Sequence, residues 1–570
     1  MSLQLELPID FSSGTDAEST QTGPKSLGVV FTQPWVVESI LDLVGYTVSE
    51  SILESCIVDP AVGHGAFILP IVKRLIESAQ RYGFPISDLR DAVFGVDIQP
   101  KSVARTREII RVYLEEEGVA PEVAKSLSHN WINVGDYLLC DLPNSVDFVV
   151  GNPPYIRLDD LDKKIASQYR SQLSTMQGRG DIYIGFYQRS LEILSDVGEL
   201  GFICADRWMK NSYGKQLRKM IAKGYSVKAL WQMHHVDAFE DQVSAYPAIT
   251  VITRKSENKN FSVVLDADSN FDSFQSRDAV RFTLSDCATG SGESWSAHRI
   301  SGWGETDKFW PTGRPEIVAI LEKLSQNFPS IGHSSEICLK IGIATGADKA
   351  YIVPIESAPN IEPDRLLPIV MAKDLRSNPV EGASHYLINP WGEEGGLVEA
   401  SKYPKMINYL SQHEVILNRF IVKKNPDSWY RTIDKVSWAS INKPKLLFQD
   451  MKSEITPVLE RGGLYPHHNL YYITSDIWDL EVLGGLLLSK IAEEFVNVYG
   501  VKMRGGTMRF QAQYLKNIAI PQYDCITEDI KTGLKEAFRL GDRKLATQYA
   551  AWAYGVEPGV FIAEGKKDEE

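Results

Sequence analysis

Three times between Cys56 and Leu194 a short apolar run gives way to a stretch with helical spacing, and this rhythm limits the folds open to the chain. "CIVDP" precedes "AFILPIVKRLIESAQRY", "AVFGVD" precedes "KSVARTREIIRVYLEEE", and "VDFVVGN" is followed later by "IYIGFYQRSLEIL". Strands alternating with helices predict an α/β fold with a parallel, doubly wound, Rossmann-like sheet. An opening helix is expected from Thr32 on, where Pro34 stands two places into a run with Val36, Val37, Ile40, Leu41 and Val44 at helical spacing. "GELGFICADRWM", "YSVKALWQM" and "AITVITRK" read as closing strands, so this domain is expected to end near Lys255.

At 570 residues the chain is too long for one ordinary domain. The expected division is a flexible leader over 1–26, the α/β domain over 27–255, a polar connector or small subdomain over 256–330, a mixed α+β domain over 331–525, and a C-terminal helix with a charged tail over 526–570. A net charge of -14 argues against nonspecific coating of nucleic acid but leaves room for a local basic cleft. No uninterrupted apolar run reaches the ~18 residues of a membrane helix, and the first residues lack the basic-then-apolar pattern of a signal peptide, so the default location is cytoplasmic. Six cysteines lie far apart with no C-x-x-C pair, and the adjacent pairs His234-His235 and His467-His468 cannot offer two ligands from one helical face. No metal is expected.

Chemistry-bearing residues gather where the expected strands end. "VDPAVGHGAFILP" sets Asp59, Ala61, Gly63, Gly65 and Phe67 in the turn between the first strand and its helix, where glycines let a ligand approach the backbone and a helix N-terminus supplies N–H groups. Asp97 closes the second strand, where a carboxylate can accept from ribose hydroxyls, and Asp136 stands near the end of the third. The third glycine of a nicotinamide-binding turn is missing, and no G-K-[ST] closes a P-loop. In "FVVGNPPYIRL" the segment Asn152-Pro153-Pro154-Tyr155 follows the strand directly. Two prolines there can simply terminate a ladder, or they can fix one amide and one aromatic ring at a strand end.

These motifs, in this order, resemble the amino-methylating DNA methyltransferases, specifically the adenine-N6 enzymes of the gamma arrangement similar to the TaqI and Eco57I-like modification methylases. The resemblance covers nearly the whole chain after the leader. It implies an S-adenosylmethionine-dependent methyltransferase domain, with Thr32 and Pro34 of "FTQPW" at the methionine end of the cofactor and Asp59, Ala61, Gly63, Gly65 and Phe67 forming the main cofactor loop. It further implies Asp97 at the ribose, Asp136 and Tyr137 at the cofactor's adenine, Asn152, Pro153, Pro154 and Tyr155 as the catalytic motif, and Phe239 as a second aromatic contact to an extruded base.

The catalytic motif also has a reading in its own physical terms. Adenine N6 is a poor nucleophile because its lone pair is delocalised, so positioning decides the reaction. An amide oxygen on Asn152 and the carbonyl of Pro153, each accepting one N6 hydrogen, would turn the lone pair toward the methyl and stabilise the charge developing on nitrogen. The same pattern suits a glutamine amide, and enzymes that methylate glutamine in release factors share it. Those are short, with a helical domain in front, whereas here about half the chain follows the catalytic domain. "LKIGIATGADKAYIV", "LLPIVMAKDLR", "NKPKLLFQDMKSEITPVLERGGLYPHHNLYYI" and "MRFQAQYLKNIAIPQ" resemble a target-recognition domain in the family's order. Lys423, Lys424, Arg504 and Arg509, in basic stretches interleaved with aromatics, are the candidate DNA contacts. The expected partner is duplex DNA with a specific recognition sequence. With no Asp…Glu-x-Lys cluster and a short leader, nuclease activity is expected to reside in a separate cognate restriction endonuclease or to be absent. RNA or protein-glutamine methylation, and an idle DNA-binding subunit, stay open.

Overall fold

The computed structural model describes residues 32–240, 246–255, 261–449, 451–452, 454–500, 508–509 and 512–562. Ile57–Asp59 (β1), buried at every residue, occupies the interior of a ten-stranded sheet. On one side β1 pairs in parallel with Val93–Asp97 (β2), which pairs in parallel with Ile132–Val134 (β3). On the other it pairs in parallel with Val146–Gly151 (β4), and β4 with Leu194–Ala205 (β5). The direction of winding thus reverses between β1 and β4, and the crevice beyond the strand ends at such a switch point is where an open α/β sheet takes its ligand.

Helices cover this half as their apolar spacing demands. Pro34–Leu43 (α1), Pro100–Glu116 (α3) and Pro121–Trp131 (α4) start on prolines, whose fixed φ suits the first helical turn. Ile68–Tyr82 (α2) buries Ile68, Ile71, Val72, Leu75, Ile76 and Ala79 and stops at Gly83, which takes a left-handed φ of 68°. Lys163–Gln172 (α5) and Tyr183–Ile193 (α6) form the crossover from β4 to β5.

The sheet does not end near Lys255. Tyr225–Gln232 (β6), Pro247–Arg254 (β7), Phe261–Ala267 (β8), Thr289–Ser291 (β9) and Trp295–Ser301 (β10) continue it in the spatial order β5-β7-β6-β8-β10-β9, with β7 antiparallel to both neighbours. The stretch 256–330, expected to be a loose connector, therefore supplies three strands, and the helices Ser273–Leu284 and Pro315–Asn327 besides. Its polar runs mark turns and caps: the Asp272 carboxylate accepts from the N–H groups of Phe274 and Gln275, both at 2.9 Å. Trp231 joins this extension to the rest, its indole N–H donating to Thr283 Oγ1 at 3.1 Å and its ring meeting Phe271 edge-on.

The C-terminal half holds two four-stranded sheets. One orders Cys338–Ile341, Leu470–Thr474, Lys445–Gln449 and Val458–Glu460; the other Ile352–Pro354, His385–Ile388, Leu366–Val370 and Tyr465–Pro466. In the first, Lys445 is wholly buried and ion-paired to Glu460, and its ammonium also donates to the carbonyls of Ile441 and Leu464 at 3.2 Å. The helix Glu528–Leu540 is no separate appendage. It lies against Leu480–Leu488 so closely that a Cβ on Gly485 would come within 2.3 Å of the Leu534 carbonyl. The leader and the charged tail from 563 on lie outside the described residues. Among the described residues no helix is long and apolar enough to cross a membrane.

Candidate active site

Strand β1 delivers Asp59 to the switch point almost without exposure, at 1%. Its Oδ1 accepts from the Ala61 N–H at 3.1 Å, while its Oδ2 is buried and has no hydrogen-bond partner. Burial pushes this carboxyl up to about 7, the Ala61 N–H opposes the rise and the charge of Asp97 adds to it. The loop that follows is tied down by its neighbours. Gly63, at φ 49°, donates its N–H to Asp97 Oδ2 at 3.0 Å, and its carbonyl accepts from Thr106 Oγ1 at 3.0 Å. Gly65 takes φ 88°, which an L side chain rarely adopts. Asp97 Oδ1 accepts from the Gln99 N–H at 2.8 Å, so both oxygens of that carboxylate hold turns together.

Strand β4 ends beside β1 with little room: a Cβ on Gly151 would lie 3.1 Å from Pro60 and 3.2 Å from Asp59 Oδ1. The next residue, Asn152, donates from Nδ2 to Thr32 Oγ1 at 3.2 Å. Thr32 forms an antiparallel bridge with Phe239, reinforced by the Gln33 N–H donating to the Ala238 carbonyl at 3.0 Å. Tyr155 meets Phe239 edge-on at 6.4 Å between centroids and Tyr183 at 6.2 Å. Thr32, Asn152, Tyr155 and Phe239, distant in sequence, thus stand in one cluster, with Pro34 opening α1 and Pro153 buried between.

Other candidates are placed differently. Asp136 is held above the usual carboxylate range by burial, against the opposing hydrogen bonds from the Tyr169 hydroxyl, at 2.8 Å to Oδ2, and from the Leu138 N–H, at 2.9 Å to Oδ1. The Tyr137 ring is 2% exposed, stacked on Phe186 at 5.2 Å, with its hydroxyl on Ser190 Oγ at 2.8 Å. The ring expected at the cofactor's adenine is packed in the core, as is its neighbour Leu138. Phe67, 3% exposed, likewise packs into the core below the loop. Lys423 and Lys424 are exposed on the short helix Phe420–Lys424 of the C-terminal half. Arg504 and the side chain of Arg509 lie outside the described residues.

Sequence reasoning missed Tyr169 and Tyr183, which sit on helices and carry no spacing signal, and a pair beyond β5 in which a half-buried imidazole meets a buried carboxylate. His234 Nε2 lies 2.9 Å from Asp206 Oδ2, and Tyr246 packs edge-on to the imidazole.

This arrangement has counterparts. Residues 91–239 match the family model described as Eco57I restriction-modification methylase. The type II methyltransferase M.PaeR7I of Pseudomonas aeruginosa is 39% identical, over 95% of this chain and 94% of that protein. The chain belongs to the type II restriction-modification methyltransferases. M.XhoI of Xanthomonas vasicola, at 36% identity over 94% of this chain and 98% of its own, and M.BstVI of Geobacillus stearothermophilus, at 38% over 91% and 94%, are further relatives. Among solved structures, the type IIL restriction-modification enzyme MmeI in complex with DNA shares the fold, with a TM-score of 0.50 and 14% identity over 91% of this chain and 70% of that one.

Proposed function

We propose that this methyltransferase is cytoplasmic and transfers a methyl group from S-adenosylmethionine to N6 of an adenine extruded from duplex DNA at a specific sequence, as the modification enzyme of a restriction-modification system in which any nuclease is a separate protein. The observation that carries the reading is the amide of Asn152, held by Thr32 at the end of β4 beside the rings of Tyr155 and Phe239. With Nδ2 donating to Thr32, the amide presents its oxygen as the acceptor a substrate amino group needs.

The residues present fit the cofactor. The buried, unpartnered Oδ2 of Asp59 is an acceptor in want of a donor, and Gly63 and Gly65 leave the loop backbone open to close approach. Thr32, Pro34, Asp59, Ala61, Gly63, Gly65, Asp97 and Asp136 would hold it, and bound there it supplies an electrophilic methyl group. Asn152 and the Pro153 carbonyl would each accept one hydrogen of the target amine and stabilise the charge growing on its nitrogen. The edges and faces of Tyr155 and Phe239 would receive the base, whose extrusion costs a few kcal/mol. No strong general base is required, because the proton can leave after the methyl has moved. Lys423, Lys424, Arg504 and Arg509 are proposed to meet phosphates, with the region 331–525 reading the sequence.

Label from S-adenosylmethionine offered to duplex DNA, RNA and release factor in parallel tests this reading. Transfer to adenine in duplex DNA is expected. Transfer to protein or RNA alone would overturn the substrate, and no transfer to any of them would leave a DNA-binding subunit.

A further inference from the structure

In the C-terminal half, the turn after Tyr465–Pro466 brings two imidazoles against a carboxylate at the head of the short helix Asp348–Tyr351. His467 Nε2 lies 3.1 Å from Asp348 Oδ2, His468 Nδ1 lies 3.7 Å from the same oxygen, and the two rings are 4.1 Å apart between centroids. One ligand atom from each of the three residues falls within 4.8 Å of the others. Adjacent histidines cannot share a helical face, the reason no metal was expected from the sequence, but on a turn one can present Nε2 and the next Nδ1 to a common point.

We propose that Asp348, His467 and His468 form a binding site for one zinc-like divalent cation. Four-coordinate zinc holds its N and O ligands at about 2.0–2.1 Å, which sets neighbouring ligand atoms roughly 3.3 Å apart. The separations of 3.1 and 3.7 Å from the two imidazoles to the carboxylate oxygen bracket that value, and all three ligand atoms lie within 4.8 Å of one another. Two imidazoles and one carboxylate suit zinc and its neighbours and leave a position for water.

The orphaned Nδ1 of His468 is what a simple Asp–His hydrogen bond leaves unexplained. The atom is buried and has no hydrogen-bond partner. A cation answers it. His467 would give Nε2 to the cation and move its ring proton to Nδ1, surrendering the long 3.4 Å contact from the Asn469 N–H.

The location gives the site a use. Ile343 donates to the Pro466 carbonyl at 2.9 Å and His468 donates to the Ile343 carbonyl at 3.1 Å, while a Cβ on Gly342 would fall 2.1 Å from the His467 oxygen. This is the junction where the strand Tyr465–Pro466 of one C-terminal sheet leads into Leu470–Thr474 of the other. A cation here fastens the short helix Asp348–Tyr351 to that junction.

The test uses the full chain without a histidine tag. After chelation and its removal, Zn2+ is titrated calorimetrically and Co2+ by visible absorption, and thermal unfolding is followed with and without Zn2+. One equivalent bound, a four-coordinate Co2+ spectrum and a raised Tm are expected, with affinity weakened more than about tenfold in both Asp348→Asn and His468→Gln. Wild-type chain that binds no equivalent of either ion overturns the site whatever the variants do. Binding equal to wild type in both variants overturns it too, and assigns the metal to the exposed cysteines.

Discussion

Asp59→Asn isolates the most perturbed carboxyl in the crevice. The Asp59 carboxyl, ordinarily near 3.8, is pushed up to about 7 by burial. A raised carboxyl favours folding in its protonated form, so its contribution to stability is complete below 3.8 and is lost as the pH rises through about 7. The loss amounts to about 4 kcal/mol at high pH, from roughly three pH units at 1.36 kcal/mol each. A cationic or hydrogen-bonding cofactor group reaching Oδ2 would favour the ionised form and return that energy on binding. Binding should then release about 0.9 proton at pH 6, about 0.5 at pH 7 and about 0.1 at pH 8, with affinity about tenfold weaker at pH 6 than at pH 8. Calorimetric titration of S-adenosylmethionine in buffers of different ionisation heat counts these protons, and the asparagine variant gives the background from the cofactor's own amino group. A proton count identical in wild type and variant, or affinity flat from pH 6 to pH 8, would refute the linkage.

Asn152→Ala should lower kcat for methyl transfer by about 10²–10³ while cofactor binding, read by the same calorimetry, stays within a few-fold. Tyr155→Phe removes a buried hydroxyl without a hydrogen-bond partner, so Tm should hold or rise and activity should persist, since the ring is retained. Lys445→Met strands the buried Glu460 carboxylate and should cost about 3–5 kcal/mol, whereas Lys445→Met with Glu460→Leu should cost far less; denaturant unfolding that shows additive losses would contradict this.

The parallel half of the sheet was legible because its strands and helices differ in period and each strand ends on, or is followed at once by, an acid or a glycine. The extension over 256–330 was not, since polar caps such as Asp272 look like linker in one dimension and like helix starts in three. Asn152 and Tyr155 could be picked out from an uninterrupted motif. The Thr32–Phe239 bridge could not, because nothing local to either residue records a pairing made across the fold. Tyr137 shows the converse error: neighbouring an acidic strand end does not decide which way a ring turns, and its Ser190 partner lies on a distant helix.

That bridge carries one more consequence. Thr32, proposed for the donor's methionine end, and Phe239, proposed for the acceptor base, stand opposite each other on a backbone bridge closed by the Gln33 N–H on the Ala238 carbonyl, so anything that orders one orders the other. Cofactor and DNA should accordingly bind as thermodynamically coupled ligands, each tightening the other by the same factor, and a substitution that loosens this short bridge should uncouple them while leaving each able to bind alone.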